Sequence, residues 1–475
     1  MKAQTVYGQL DLWGTKPPET ADQRSEAGSP PQGKHEAAES KLLEAILSPA
    51  NLEGAWRSVK ANAGAAGIDG MSVEAFPAFW QEHRERIVAQ LKEGTYRPAA
   101  VRRVWIPKGN GEERPLGVPT VLDRVIQQAI AQILSLIFEG QFSEHSYGFR
   151  PGRRAQDAVK SIQDSASEGY VHAVDCDLKS FFDKVDHGEL MQRLRRRIQD
   201  GRVLRLIGRY LKAGVRLPNG NTEATPEGVP QGGPLSPLLA NVMLDDLDHV
   251  PRNEVTTRPG AQRTGPLERR GHRFARYADD FIIVVKSKRA AERVMHSISR
   301  YIETKLKLVV NQTKTKAARL SQCSFLGFVI TPKRIRCLGS KLDTFKRNIR
   351  VITSRSWGIS MEERLERLRL YVNGWLGYYV MGVPYKDIRS MDRWLRRRIR
   401  LCYWKQWRLP KTRFRNLLKL GINRSTIKQA SRCRKGYWRC SNLRVVCIAM
   451  NNDWLNQQGC PSIKEQWKKL CYPNG

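Results

Sequence analysis

Two adjacent carboxylates, Asp279 and Asp280, lie between a short β-prone run, Phe274 to Tyr277, and a stronger one, Phe281 to Val285. Side by side at the tip of a tight hairpin they repel each other, which costs stability unless a cation sits there. Acidic side chains holding a pair of divalent metal ions are the usual arrangement where a phosphodiester is made or broken. Taken alone, Tyr277-Ala278-Asp279-Asp280 reads better as a polar turn, where Asp is favoured. A third carboxylate stands near the end of a strand-like segment, Ala173-Val174-Asp175-Cys176-Asp177-Leu178. Alternation is expected to turn Asp175 to the opposite face, leaving Asp177 to face the hairpin; a strand-end cap is the plain alternative. Three such carboxylates could hold two Mg²⁺ ions. One would lower the pKa of an attacking 3′-hydroxyl, and the other would bind a triphosphate and its leaving group.

Two further groups are candidates for gripping a nucleotide. The stretch Gly228-Val229-Pro230-Gln231-Gly232-Gly233-Pro234-Leu235-Ser236-Pro237 is rich in breakers and opens an apolar helix. Its glycines are expected to let the backbone approach a flat ligand, with the Gln231 amide offered to a base or sugar edge. Lys108 and Arg114 fall on opposite arms of a predicted hairpin, where they could clamp a triphosphate. By themselves they read more readily as solvated surface charges.

The elements that must position these groups follow from periodicity and punctuation. Residues 15–40 are rich in Pro, Ser, Gly and Glu and read as a disordered tail. Helical periodicity begins near Lys41. Residues 96–120 read as a β-hairpin turning at Gly109-Asn110-Gly111, followed by a helix from Val121 to Phe138. Val171 to Leu178 reads as a strand, and helix resumes at His187. The Pro-, Arg- and Thr-rich stretch 251–266 reads as a surface loop, and helices dominate from Lys341 to Lys419.

Composition narrows the partners. The 475 residues hold 82 Lys+Arg against 46 Asp+Glu, a formal charge of +36 and a pI near 10.2. Such an excess favours nucleic acid through counterion release. No run is expected to reach the ~18 apolar residues of a spanning helix, and the first residues show no signal-peptide core. Nine scattered cysteines fit reduced thiols in a cytosol. Cys433, Cys440 and Cys447 have poor zinc-finger spacing and read as packing or free thiols.

Taken together these segments resemble the reverse transcriptases, and among them the bacterial group II intron-encoded reverse transcriptase/maturases, from about residue 41 onward. NAGAAGIDGMSVEAF (62–76) is similar to that branch's extra N-terminal block. Residues 96–130 and 142–159 resemble its finger blocks, and VDCDLKSFFDKVDH (174–187) the block with the first catalytic aspartate. GVPQGGPLSPLLANVML, RYADDFIIV, LVVNQTKTK (308–316) and FLGFVI (325–330) follow in family order. The resemblance implies an α+β right-hand polymerase. Its palm would be an antiparallel split-βαβ sheet, with helical fingers and a helical thumb. It implies metal binding by Asp177, Asp279, Asp280 and the Leu178 carbonyl. Phe182 would stack under the sugar and exclude a 2′-hydroxyl, Gln231 would touch nucleotide or template, and Lys108 and Arg114 would hold the triphosphate. Tyr277 would pack against the primer end. Lys314 and Lys316 are offered to the phosphate backbone or simply to solvent.

The domains expected are a tail (1–40), fingers and palm (41–335), a thumb/maturase domain (341–421) and a basic extension (422–475). From Met391 to Cys440 the only acidic residue is Asp392, among many Arg and Lys. Arg396, Arg397, Arg398, Arg400, Lys405 and Arg408 are the candidate RNA-binding residues. Trp394, Tyr403, Trp404 and Trp407, at helical spacing, read as core more readily than as base platforms. No HNH-type endonuclease is expected. The implied partners are intron RNA, an RNA template, a DNA primer and deoxynucleoside triphosphates. The implied location is a bacterial cytoplasm, at the nucleoid. One departure stands out: the stretch around 251–266 exceeds the few residues usual there, which could disturb the strand leading to Tyr277. Rival readings are an RNA-binding splicing cofactor that does not polymerise, and a retron- or defence-type reverse transcriptase.

Overall fold

The structure is a computed structural model, and it describes residues 41–107, 113–248 and 272–472. The expected N-terminal tail, Lys108, the Gly109–Gly111 turn and the 251–266 loop lie outside the described residues. The chain divides into two compact units, one up to Arg319 and one from Leu320.

In the first unit, helices α1 (Leu42–Ile46), α2 (Pro49–Ala61) and α3 (Phe76–Glu93) precede the strands β1 (Val101–Pro107) and β2 (Glu113–Val118). These strands pair antiparallel, Pro107 opposite Glu113, as the hairpin reading requires. Helix α4 (Val121–Glu139) starts at Thr120, whose side chain accepts from the Asp123 amide. Its apolar content corrects one expectation: α4 is long and apolar enough to cross a membrane by length and composition. Val125, Ile126, Ala129, Ile130 and Leu134 are nevertheless each buried in the unit's core. A buried helix is apolar around most of its circumference for that reason. The Tyr96 and Tyr210 hydroxyls donate to Asp123 Oδ1 at 2.7 and 3.1 Å, tying α4 to its neighbours. Burial pushes the Asp123 carboxyl above the usual carboxylate range.

Helix α5 (Ala155–Ser167) leads into β3 (His172–Cys176), and α6 (His187–Arg195) and α7 (Gly201–Leu211) follow. Short strands β4 (Val215–Arg216) and β5 (Thr222–Glu223) complete a β2-β1-β4-β5 sheet. Helix α8 (Ser236–Asp248) stands before the central hairpin β6 (Arg273–Tyr277) and β7 (Asp280–Val285). Helix α9 (Lys288–Lys305) and strand β8 (Lys316–Arg319) close the unit. The second sheet runs β6-β7-β3-β8, with every pair antiparallel. Phe281, Ile282, Ile283, Val284 and Val285 are all buried, so β7 is a central strand covered on both faces.

The second unit begins with the hairpin β9 (Phe328–Thr331) and β10 (Arg334–Cys337). Phe328 packs on Tyr378 and Tyr379 near the end of the second helix that follows, ring centroids 5.8 and 5.4 Å away. Helices α10 (Gly339–Ile352), α11 (Met361–Tyr379), α12 (Tyr385–Gln406) and α13 (Pro410–Lys419) follow as expected. Shorter helices run from Arg424–Ser431 to Ile463–Cys471. Phe345, Trp375 and Trp404 are buried at the centre.

Candidate active site

The register of the second sheet brings the carboxylates together. Cys176 of β3 lies opposite Phe281 of β7, so Asp177, one residue on, comes level with Asp280. Tyr277 pairs with Asp280, which leaves Ala278 and Asp279 as the turn. Two-residue hairpin turns need positive φ, and Ala278 supplies it at φ 59° despite its Cβ. A non-glycine residue held there costs roughly 1–2 kcal/mol, so the surroundings must impose the conformation.

They do so through contacts that the sequence reading missed. Residues 145–149 lie against the turn: the Tyr147 amide donates to the Arg276 carbonyl at 2.8 Å, and the Arg276 amide to the His145 carbonyl at 2.9 Å. A Cβ on Gly148 would stand 2.3 Å from the Ala278 nitrogen, so only glycine fits. Phe149 meets the Tyr277 ring at 6.0 Å, and burial raises the Tyr277 hydroxyl. Burial also raises the Asp279 carboxyl; the Asp177 charge adds to this, while Arg114 and Arg276 oppose it.

Strand alternation does not separate Asp175 from Asp177, correcting the expectation. Residues two apart share a face, and both burial and the Asp177 charge raise Asp175. What distinguishes Asp177 is that β3 ends at Cys176. Its carbonyl accepts from the Asn311 amide at 2.8 Å. Its Oδ2 accepts from Asn311 Nδ2 at 2.8 Å and faces Lys314 Nζ at 3.5 Å. Asn311 stands in the same block as Lys314 and Lys316, and its uncharged amide gives no such signal in the sequence. Lys316 pairs in register with Asp175. Both lysines therefore sit beside carboxylates.

Arg114 of β2 donates from Nε to Gln231 Oε1 at 2.7 Å, uniting two of the expected nucleotide-binding residues. The loop's glycines serve a purpose other than the expected one. At Gly232, with φ 116°, a Cβ would stand 2.5 Å from the Gly117 carbonyl oxygen. The close approach is to the protein's own backbone: the Gly117 amide donates to the Gln231 carbonyl at 2.7 Å. Phe182 is 9% exposed and packs edge-on against Phe181, while its carbonyl accepts from the Val229 amide at 2.6 Å.

Among the described residues no three His, Cys, Asp or Glu side chains are grouped closely enough to hold a metal as they stand. The donors are nevertheless of the right kind, hard carboxylate oxygens for hard divalent cations. Lys314 supplies the compensating charge at Asp177. That pair is 68% and 43% exposed, and exposed ion pairs contribute at most about 1 kcal/mol, so a divalent ion could displace the ammonium readily.

In the second unit most candidate RNA-binding cations are committed internally. Arg396 is 6% exposed and paired with Asp392 at 2.9 Å. Arg397 stacks 3.8 Å from the Trp438 ring centroid. Arg398 lies over Trp394, Arg400 donates to the Met450 carbonyl at 2.9 Å, and Lys405 lies over Tyr437. Burial lowers both Arg398 and Arg400. Arg408 is exposed. Tyr403 and Trp404 are buried, in keeping with the core reading. All nine cysteines are free thiols.

Comparison with known proteins decides the family. Residues 106–330 match the model for reverse transcriptase (RNA-dependent DNA polymerase). Residues 342–421 match that for the group II intron maturase-specific domain. Protein YkfC of Escherichia coli is 34% identical over 62% of this chain and 84% of its own length. The chain belongs to the group II intron reverse transcriptase/maturases. The group II intron-encoded protein LtrA of Lactococcus lactis is 33% identical over 62% of this chain, which spans only 57% of LtrA. Among solved structures, a chain of a partial Cas6-RT-Cas1–Cas2 complex superposes with a TM-score of 0.34 at 26% identity. It covers 56% of this chain and 43% of that one, too loosely to add to the assignment. Reverse transcriptases of this family are RNA-directed DNA polymerases that use divalent metal ions, and the two matched domains imply binding of intron RNA and nucleic acid substrates.

Proposed function

We propose that this chain copies RNA into DNA at the β3–β7 carboxylates and assists splicing of its intron RNA through the second unit. The observation that carries this reading is the register that sets Asp177 level with Asp280 beside the Ala278-Asp279 turn. Two Mg²⁺ ions, held by Asp177, Asp279, Asp280 and the Leu178 carbonyl, would activate a primer 3′-hydroxyl and neutralise the triphosphate. The chain's own groups do the positioning. Arg114, one hydrogen bond from Gln231, turns to the triphosphate of an incoming deoxynucleotide, with Lys108 as its partner. Freed of that bond, the Gln231 amide is available to the base or sugar. Phe182, wedged against Phe181, makes a rigid floor that leaves no room for a 2′-hydroxyl. Tyr277, braced by Phe149, supports the primer end. The 3′-hydroxyl, giving up its proton to solvent, then attacks the α-phosphate in line as the bond to the departing pyrophosphate breaks, and most of the rate comes from alignment and charge complementarity.

Lys405 and Arg408, with the exposed cations of the second unit, are the proposed contacts to RNA phosphates. Lys314 and Lys316 reach the template-primer backbone only after leaving their carboxylates. The charge of +36 suits a location among polyanions, in the cytoplasm at the nucleoid, with no membrane partner. Primer extension on an RNA template tests the reading. Wild type should extend with deoxynucleotides and Asp279→Ala should not; equal extension by both would remove the catalytic assignment.

A further inference from the structure

Arg276 is fully buried, at 0% exposure, two residues before the catalytic turn. Its guanidinium is divided among three parts of the fold. Nε donates to Asp248 Oδ1 and Oδ2 at 3.0 and 2.9 Å, and Nη2 donates to Oδ2 at 2.5 Å. Nη1 donates to Asn241 Oδ1 at 2.9 Å and to the Ala278 carbonyl at 3.2 Å. Asn241 in turn donates from Nδ2 to the Gly148 carbonyl at 2.8 Å. The Arg276 backbone is held by His145 and Tyr147 on the same segment.

A buried ion pair that only satisfied its own charges would need Asp248 alone. Here one edge of the fork is spent on the carboxylate, and the remaining amine is aimed at the turn carbonyl and at the amide that grips residue 148. Only a planar group with several donors in fixed directions can do both. We propose that Arg276 is a positioning residue for catalysis. It clamps the Ala278-Asp279 turn to α8 and to residues 145–149, so that the metal-binding carboxylates keep one geometry. The inference rests on the reading of Asp279 as a catalytic ligand.

Two variants test it. Arg276→Lys keeps the charge beside Asp248 and loses the fork. The double variant Arg276→Met/Asp248→Leu removes both buried charges, a replacement that buried ion pairs commonly tolerate without unfolding. Amide hydrogen exchange of the peptide spanning 277–281 is read alongside primer extension and Tm. In whichever variant is folded, exchange at the turn should quicken and kcat should fall by about tenfold or more, with the deoxynucleotide KM within about threefold. A merely structural pair would lower Tm and leave both turn exchange and kcat of the folded protein unchanged. Exchange and kcat within about twofold of wild type in a folded variant would overturn the proposal. So would unfolding of both variants, because it would make the pair a requirement of the fold itself. Wild type that fails to extend primers strikes the functional reading instead, and the exchange arm still judges the clamp.

Discussion

Gly148→Ala is the substitution whose effect on the catalytic turn can be worked from distances. The added methyl would lie 2.3 Å from the Ala278 nitrogen, 2.8 Å from the Tyr277 carbonyl carbon and 3.1 Å from Tyr277 Cα. All three are backbone atoms, so no side chain can swing away. Comfortable contact needs about 3.5 Å, so the turn and residues 145–149 must part by about 1 Å. Overpacking of this kind costs about 1–3 kcal/mol of stability, which a domain stable by about 5–15 kcal/mol survives. The same 1 Å displacement, applied to Asp279, should reduce the rate of nucleotide addition by about 10²-fold. That equals about 2.7 kcal/mol of transition-state stabilisation. Single-turnover primer extension at saturating deoxynucleotide measures the rate, and a thermal melt confirms folding. Gly140→Ala, where an added Cβ meets nothing within 4 Å, is the control and should leave the rate unchanged. A folded Gly148→Ala enzyme extending within about threefold of wild type would refute the reasoning.

Four further outcomes are expected. Arg114→Ala removes a charged donor now on Gln231 and should raise the deoxynucleotide KM by about 10–100-fold, the equivalent of about 1.5–3 kcal/mol; unchanged steady-state KM would exclude Arg114 from the triphosphate site. Asp279→Asn should raise the Tm of the metal-free protein at neutral pH. Burial holds this carboxyl above its ordinary range, so its penalty is absent below the unfolded pKa, grows as pH climbs from there, and is complete above the folded one. The Tm difference should vanish near pH 3, and calorimetry showing it constant with pH would sink the assignment of strain to Asp279. Arg396→Ala strands Asp392 in the interior and should destabilise the second unit by about 3–5 kcal/mol. Arg408→Ala should leave Tm unchanged and lower the salt dependence of RNA binding by about one phosphate contact. Urea melts and filter binding across salt concentrations separate the two, and equal behaviour would contradict the burial difference.

The palm hairpin, the Asp177 strand and the hairpin of β1 and β2 were legible because each is local. Alternating apolar residues make strands, and acidic residues at strand ends are conspicuous. The partners across the site were not legible, because they come from distant segments. Arg114 meets Gln231 and Arg276 meets Asp248, pairs that no spacing rule joins. The positive φ of Ala278 broke the usual preference for glycine in such turns, so it could be seen only in the folded chain. The run of arginines in α12 misled for a related reason. Charge density reads as surface, yet the i,i+4 pair of Asp392 and Arg396 points inward, and such a pairing was open to notice. Helix α4 shows the reverse case, where an apolar run long enough for a bilayer is instead the centre of a core.

The Arg276–Asp248 pair has a consequence for how this gene can change. Asp248 ends α8 and Arg276 lies in β6, so the contact knots the chain on both sides of residues 249–271. Entry to the hairpin is therefore pinned by a bond in the interior between Asp248 and Arg276. A lineage could accumulate or shed residues there, and an experimenter could splice in a tag, with the aspartates left where they are.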